Sequence, residues 1–332
     1  MSASFLEYWE QIRLRIQNDF RQWIPELFGD LPGSQLEAVL RSLEAGKRTR
    51  GCLVCLTCEA LNGDVEAAIS RAVGIECIHA ASLIHDDYVD KDAIRRNRPA
   101  EWTLQGSRRA VLLGDVMFGT VIHKMAEESI AEGSLVAKVI AAMARGAYQE
   151  HVDRSDLERL VDEGRDLSEI YESIIHFKTG VLFGAAAQLG AIAASAPAPM
   201  CAQSFRFGAR LGEAYQIADD LADVVDLERL PRSRLSELSA VAPILLRFSQ
   251  MTPPEVLRLM NGNHRGRSKW ADREIPLIKE RMRTEISARC ASTIAELSDF
   301  PENHHTHLLR EMPAEIVRSM EAADRVGPSS LD

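Results

Sequence analysis

The sequence predicts an all-α protein, and three observations predict it. Apolar residues recur at spacings of three and four through most of the 332 positions, the pattern of helices that bury one face. Glycine and proline are modest, at 20 and 13 residues, and no run alternates apolar and polar residues as a half-buried strand would. With 46% hydrophobic residues the chain can bury a large core, and no shift in composition marks a linker. One helical domain over residues 1–332 is the simplest expectation.

Charge and cysteine content narrow the function. The 39 basic and 49 acidic residues leave a net charge of -10 without a basic stripe, which argues against a nucleic-acid partner. A few local Lys and Arg can still hold an anionic ligand against that background. Cys52, Cys55 and Cys58 have an iron–sulfur-like spacing, but they share one face of a helix and lack a fourth ligand. They read as small buried apolar residues. No basic head followed by an apolar core opens the chain, and no stretch approaches about 18 uncharged apolar residues. The expectation is a soluble protein of the reducing cytoplasm, without stable membrane insertion.

The elements follow in order. Residues 4–28 carry Phe5, Trp9, Ile12, Ile16, Phe20, Trp23, Ile24 and Leu27 on an amphipathic helical pattern broken near Pro25. A turn at 30–34 leads to a short helix at 35–44. Gly46-Lys47-Arg48-Thr49-Arg50-Gly51 then sets three basic residues in a glycine-flanked turn before an apolar helix that ends at Leu61. This reads as a solvated bend or as an anion site built with helix-start amides. Residues 65–85 form a long apolar helix with Glu76 and His79 embedded in it. Helices at 110–125 and 135–150 precede a charged, exposed stretch at 153–166. The apolar helix at 167–189 holds Lys178-Thr179-Gly180 in its middle. A lysine between Phe177 and Val181-Leu182-Phe183 is costly to bury unpaired, so an anionic partner is expected. An Ala/Pro loop at 191–200 precedes a helix at 205–225, and a polar stretch at 227–239 precedes a helix opened by Pro243. Helices at 252–263 and 273–297 complete the pattern, with a frayed tail from Gly327.

Two acidic clusters interrupt this apolar pattern. Asp86, Asp87 and Asp90 end the helix that starts at Val65. Asp86 and Asp90 then stack one turn apart, with Asp87 rotated about 100° away. Aligned carboxylates at the mouth of an apolar face suit magnesium, a hard cation that takes oxygen ligands and bridges to phosphates. Asp219, Asp220 and Asp223 repeat the spacing later in the chain. His79 lies two turns before Asp86 and shares a wall with it. Arg95-Arg96-Asn97-Arg98-Pro99 supplies a basic turn just after the first cluster.

The order of these features resembles the trans-isoprenyl diphosphate synthases, or polyprenyl synthetases. The likeness covers G-K-R-x-R at 46–50, Glu76, His79, His85-Asp86-Asp87-x-x-Asp90 and Arg95-Arg96-x-x-Pro99. It continues through Gly114-Asp115, Lys178-Thr179 and Tyr215-Gln216-x-x-Asp219-Asp220-x-x-Asp223, and spans 46–243. The resemblance implies the isoprenoid synthase fold, a single large antiparallel helical bundle around a central cavity with the two D-D-x-x-D motifs facing across it. It also implies a homodimer. The implied activity is prenyl transfer: magnesium-assisted ionisation of an allylic diphosphate and head-to-tail 1'-4 condensation with isopentenyl diphosphate, using three Mg2+ ions per active site. By position, Asp86, Asp90 and Asp219 resemble the principal magnesium ligands, supported by Asp87, Asp220 and Asp223. Lys47, Arg50, His79 and Arg96 resemble the isopentenyl diphosphate pocket. Arg95, Lys178, Thr179 and Gln216 resemble the allylic diphosphate pocket, and Lys178 joins the three principal aspartates as the catalytic set.

The chain departs from the family pattern in three places. Asn97 stands where the family usually has Gly, a mild change because Asn tolerates a left-handed backbone. Gly51 replaces a proline. The segment 224–243 is short and lacks two lysines: Ser239 stands at the second, and Arg232 is the candidate replacement for the first as an allylic diphosphate ligand, although the two side chains are not equivalent donors. Two alternatives therefore stay open, a terpene cyclase-like enzyme on the same scaffold and a non-catalytic partner subunit of another synthase. The second basic pocket argues against the first and the two intact acidic motifs against the second. Ala81 and Ser82 lie one turn, about 5.4 Å, further in than Asp86. In the family, bulky residues there stop the chain early, so two small ones imply a product of C20 or longer.

Overall fold

A computed structural model describes residues 3–44, 46–150, 158–159, 163, 168–227, 238–260 and 267–325. The described elements are α1 (Ala3–Leu27), α2 (Gly33–Glu44), α3 (Thr49–Ala60), α4 (Val65–Val89), α5 (Glu101–Gln105), α6 (Ser107–Glu128) and α7 (Ile130–Glu150). They continue with α8 (Ser168–Ile175), a π turn (His176–Gly180), α9 (Val181–Ala193), α10 (Ala198–Leu227), α11 (Leu238–Phe248), α12 (Pro253–Met260), α13 (Arg267–Ala295) and α14 (His304–Arg325). Among the described residues the only sheet is an antiparallel hairpin of two-residue strands, β1 (Ile94–Arg95) and β2 (Arg98–Pro99), with Ile94 opposite Pro99 and Arg95 opposite Arg98. The expectation of no strand missed it because two residues per strand carry no alternation to read.

The chain divides into two compact units. The first comprises Met1–Ala141, Val181–Gly208 and Glu296–Met312; the second comprises Ala142–Gly180, Ala209–Ala295 and Pro313–Asp332. In the first unit α3 is buried on every side, which is why Cys52, Cys55 and Cys58 are buried free thiols. Burial pushes the Cys58 thiol up to about 11. Packed beside α3, helix α4 begins at Asp64, whose carboxylate caps it by accepting from Glu66 N at 3.0 Å. By length and composition α4 could cross a membrane, but 67% of its most apolar window is buried inside the structure, as in a core helix.

In the second unit Ile217, Leu221 and Val224 of α10 meet Ile275, Ile278, Met282 and Ile286 of α13, with Tyr171, Leu245 and Phe248 completing the core. The three- and four-residue steps along α10 assign those positions inward and leave Asp219 exposed.

Several boundaries differ from the sequence reading: α10 begins at Ala198, inside the expected loop at 191–200, and α13 begins at Arg267 rather than at 273. Pro243 lies inside α11 rather than opening it, because burying Ala242, Ile244, Leu245 and Phe248 outweighs one missing backbone hydrogen bond. The helix expected over 167–189 is split by the π turn. Helix α14 was not anticipated, although its start was signalled: Asn303 accepts from Thr306 N at 2.8 Å, the hydrogen bond of an N-cap. Its buried Leu308, Leu309 and Met312 supply the helical period.

Candidate active site

In the first unit the acidic end of α4 meets a cationic turn. Asp90 caps the helix, its N–H donating to Asp86 O at 2.8 Å, so the two carboxylates do stand one turn apart. Asp86 is half-buried and Asp90 exposed. Helix α4 has no basic residue in its last turn, so Asp86, Asp87 and Asp90 crowd the negative end of its helix dipole. That arrangement favours a bound cation. Among the described residues no three His, Cys, Asp or Glu side chains form a ready cage for an ion. Magnesium needs none, since it keeps several waters and binds through one or two carboxylates plus phosphate. The pair Asp86 and Asp90 fits that donor set.

Asp87 faces inward, 4% exposed. Arg95 Nε donates to its Oδ1 at 2.6 Å and a second Arg95 nitrogen pairs with it. Burial pushes the Asp87 carboxyl up, and the guanidinium offsets only part of that. His85 closes the same helix end: its Nε2 donates to Val111 O at 2.9 Å. Gly114 makes this possible, because a Cβ there would lie 2.3 Å from His85 Nε2. This explains Gly114 as a packing requirement.

The basic residues converge on His79. Arg96 and Asn97 form the two-residue hairpin turn with φ of 51° and 61°, the left-handed pair that a type I′ turn requires. The departure to Asn97 is therefore compatible with the backbone it must adopt. The guanidiniums of Arg96 and Arg48 come within 3.1 and 3.0 Å of the space a side chain at Gly46 would fill. Arg50 is buried with its guanidinium 4.5 Å from the centre of the Phe183 ring. Burial, followed by the charges of Arg50, Arg96, Arg48 and Arg95, holds the His79 imidazole well below its usual range, so it is neutral. Lys47 is exposed on the same turn, its carbonyl accepting from Trp9 Nε1 at 3.1 Å. Arg48 turns away from solvent: it is 3% exposed, lies 4.7 Å from the Phe20 ring centre and sits 3.7 Å from Glu76. Glu76 also accepts from Gly51 N at 2.8 Å, tying the turn to α4. Ala81 is fully buried, and the Ser82 hydroxyl folds back to His79 O at 2.9 Å.

In the second unit two uncharged side chains, Tyr171 and Gln216, bond Asp220. Thr179, buried in the π turn, donates to Gln216 Oε1; Gln216 Nε2 donates to Asp220 Oδ1 at 2.8 Å; and Tyr171 donates to Asp220 Oδ2 at 2.6 Å. Burial and the adjacent Asp220 charge raise the Tyr171 hydroxyl well above its usual value. Lys178 is half-buried on the same π turn, an element that recurs at functional sites. Asp223 lies on α10, and Arg232 falls outside the described residues. Sequence reasoning missed Tyr171 and Arg48. An apolar helix gave no hint that one tyrosine would hold a carboxylate, and nothing local told Arg48 from its basic neighbours.

The polyprenyl synthetase family model matches residues 34–231, beginning upstream of Gly46 and stopping short of Pro243. The chain is 34% identical over 194 residues to heptaprenyl diphosphate synthase component 2 of Geobacillus stearothermophilus, covering 58% of each chain. It is 37% identical over 202 residues to a short chain isoprenyl diphosphate synthase of Methanothermobacter thermautotrophicus, covering 58% of this chain and 60% of that one. These matches span about three fifths of the length of both curated relatives. Among solved structures, a geranylgeranyl pyrophosphate synthase from Lactobacillus brevis superposes with a TM-score of 0.74 at 20% identity, covering 93% of this chain and 98% of that one. The fold is the all-α helical bundle of the isoprenoid synthases.

Proposed function

The chain belongs to the polyprenyl synthetase family, and from that premise we propose that it is a trans-prenyltransferase condensing an allylic diphosphate with isopentenyl diphosphate. The observation that carries this reading is that the charges of Arg50, Arg96, Arg48 and Arg95 all act on His79, two turns before Asp86 on α4. A second anion pocket is what a condensing enzyme needs and a cyclase does not.

In the proposed reaction the allylic C–O bond breaks and its electron pair leaves with the diphosphate. The double bond of isopentenyl diphosphate attacks C1 of the resulting cation, and a proton lost to the departing diphosphate restores an alkene. Lys47, Arg50 and Arg96 hold the isopentenyl diphosphate, and neutral His79 donates one N–H to it. Arg95, Lys178, Thr179, Gln216 and Arg232 serve the allylic diphosphate. Asp86, Asp90 and Asp219 would hold magnesium, three ions in all, with Asp87, Asp220 and Asp223 in support. When bound, magnesium supplies positive charge against the leaving group.

Ala81 and Ser82 support a product of C20 or longer. We further propose that both units work as one catalytic domain in a cytoplasmic homodimer. Exposed Leu112 and Val116, one turn apart on α6, support self-association. The test is incubation of protein and magnesium with labelled isopentenyl diphosphate and each of the C5, C10, C15 and C20 allylic diphosphates. Elongation past C15 is expected. Release of cyclic hydrocarbon without isopentenyl diphosphate, or silence with every primer, would overturn the reading, and a product that stops at C15 would overturn the chain-length assignment.

A further inference from the structure

The second unit contains a charge network that the proposed chemistry does not use. Arg289 on α13 is 17% exposed, and its three nitrogens go to three carboxylates: Nε to Glu285 Oε1 at 2.8 Å, Nη1 to Glu213 Oε2 at 2.8 Å and Nη2 to Glu172 Oε2 at 2.5 Å. Two of these carboxylates use their second oxygen elsewhere. Glu213 Oε1 accepts from His176 Nδ1 at 2.8 Å, and Glu172 Oε1 accepts from Arg247 Nε at 3.2 Å. One guanidinium thereby joins α8, α10 and α13, and reaches the π turn through Glu213 and α11 through Glu172.

The joined residues are immediate neighbours of the allylic side of the site. Glu172 follows Tyr171, which holds Asp220; Glu213 lies one turn before Gln216; and His176 opens the π turn that carries Lys178 and Thr179. Two ladders therefore run in parallel between α8, the π turn and α10. One is Tyr171–Asp220–Gln216–Thr179, and the other is Glu172–Arg289–Glu213–His176. A π turn is a costly local geometry that needs outside support. Packing supplies part of it, since a Cβ at Gly146 on α7 would lie 2.7 Å from Lys178 N and 2.8 Å from Phe177 Cβ. His176, at the start of the turn, is held from the other side by Glu213, and Glu213 by Arg289.

We propose that Arg289 is a positioning residue that sets Lys178 and Thr179 in register with the acidic end of α10. The inference rests on reading those residues as the allylic diphosphate and metal side of a prenyltransferase. A planar fork that bonds three separate acceptors suits this role in a way a lysine point charge does not. Displacing a binding group by about 1 Å can cost on the order of 100-fold.

The test compares Arg289→Gln, Arg289→Lys and Glu213→Gln with the wild type, and with Arg206→Gln, which breaks an unrelated ion pair to Glu296 in the first unit. Arg289→Gln is expected to raise KM for the allylic diphosphate by about 10- to 100-fold and to leave KM for isopentenyl diphosphate nearly unchanged. Arg289→Lys should recover part of the loss, Glu213→Gln should show the same split more weakly, and Arg206→Gln should show none. A purely structural role would lower Tm and kcat without splitting the two KM values, and that result overturns the proposal. If Arg289→Gln does not fold, the same split is sought in Glu213→Gln and Arg289→Lys, and its absence there is equally decisive. Calorimetric titration with magnesium and inorganic pyrophosphate separates the two levels. Wild type that binds and elongates beside variants with unshifted constants sinks the positioning role alone. Wild type that neither binds nor elongates sinks the functional reading, and this inference with it.

Discussion

In the first unit the middle carboxylate of the acidic motif, Asp87, is turned inward and neutralised by Arg95; in the second, Asp220 accepts from uncharged Tyr171 and Gln216. The first carboxylates of the two motifs differ in exposure, Asp86 being half-buried and Asp219 exposed. One five-residue spacing is therefore anchored in two ways. An anchor made by a guanidinium cancels charge locally and adds to the cationic ground around His79. Tyr171 and Gln216 hold the two oxygens of Asp220 with donors that carry no charge of their own.

Three experiments can break or sharpen this contrast, from the largest expected effect to the smallest. Asp86→Ala removes an outer carboxylate and is expected to lower turnover by about 10²- to 10³-fold, with a clearly smaller loss for Asp87→Ala. Equal losses would show that the inward and outward positions are not distinct.

The second experiment compares the anchors by chemical denaturation. Arg95→Ala leaves Asp87 buried without that guanidinium. Because Arg95 itself is 37% exposed, the cost should fall below the range for a fully buried pair, at about 1–3 kcal/mol. Tyr171→Phe removes one hydrogen bond whose acceptor retains Gln216, and should cost about 1 kcal/mol. A reversed order would mean that the neutral anchor is the stronger one.

The third experiment uses acid. His79 is held neutral in the folded state, whereas the unfolded chain takes up a proton as pH falls through about 6.5. The unfolded state then binds more protons, so this residue's effect is absent at higher pH and destabilises as pH drops below about 6.5. Its share is at most about 1.4 kcal/mol per pH unit. Thermal melts of wild type and His79→Gln at about pH 7.5 and 5.5 should show a smaller acid loss in the variant. Identical losses would mean that the cations around His79 do not act on it as the geometry implies.

Much of this molecule could be read along the chain. The i, i+4 relation of Asp86 and Asp90 follows from helical geometry once Val65–Val89 is seen as a helix, and the buried cysteines follow from the all-apolar α3. The failures share one cause. Pro243 sits inside a helix because Ile244, Leu245 and Phe248 find a core that no local rule can see. The π turn breaks an apolar helix because Gly146 and Glu213 receive it. Arg48, Arg50 and Arg96 looked alike in sequence. Arg48 faces Glu76 and Arg50 covers Phe183, fates assigned by residues far away along the chain, whereas Arg96 is placed by its own hairpin turn.

The sequence by itself determined the helical class, the family and the order of the charged motifs, because periodicity and motif spacing are local and survive without neighbours. The tertiary structure decided which of those groups are spent on one another. Arg95 is paired with Asp87, Thr179 reaches Asp220 through Gln216, and Arg289 gathers three carboxylates. Pairing of charges is a matter of distance in space and of solvent excluded from between them, and neither quantity is written in the order of residues along a chain.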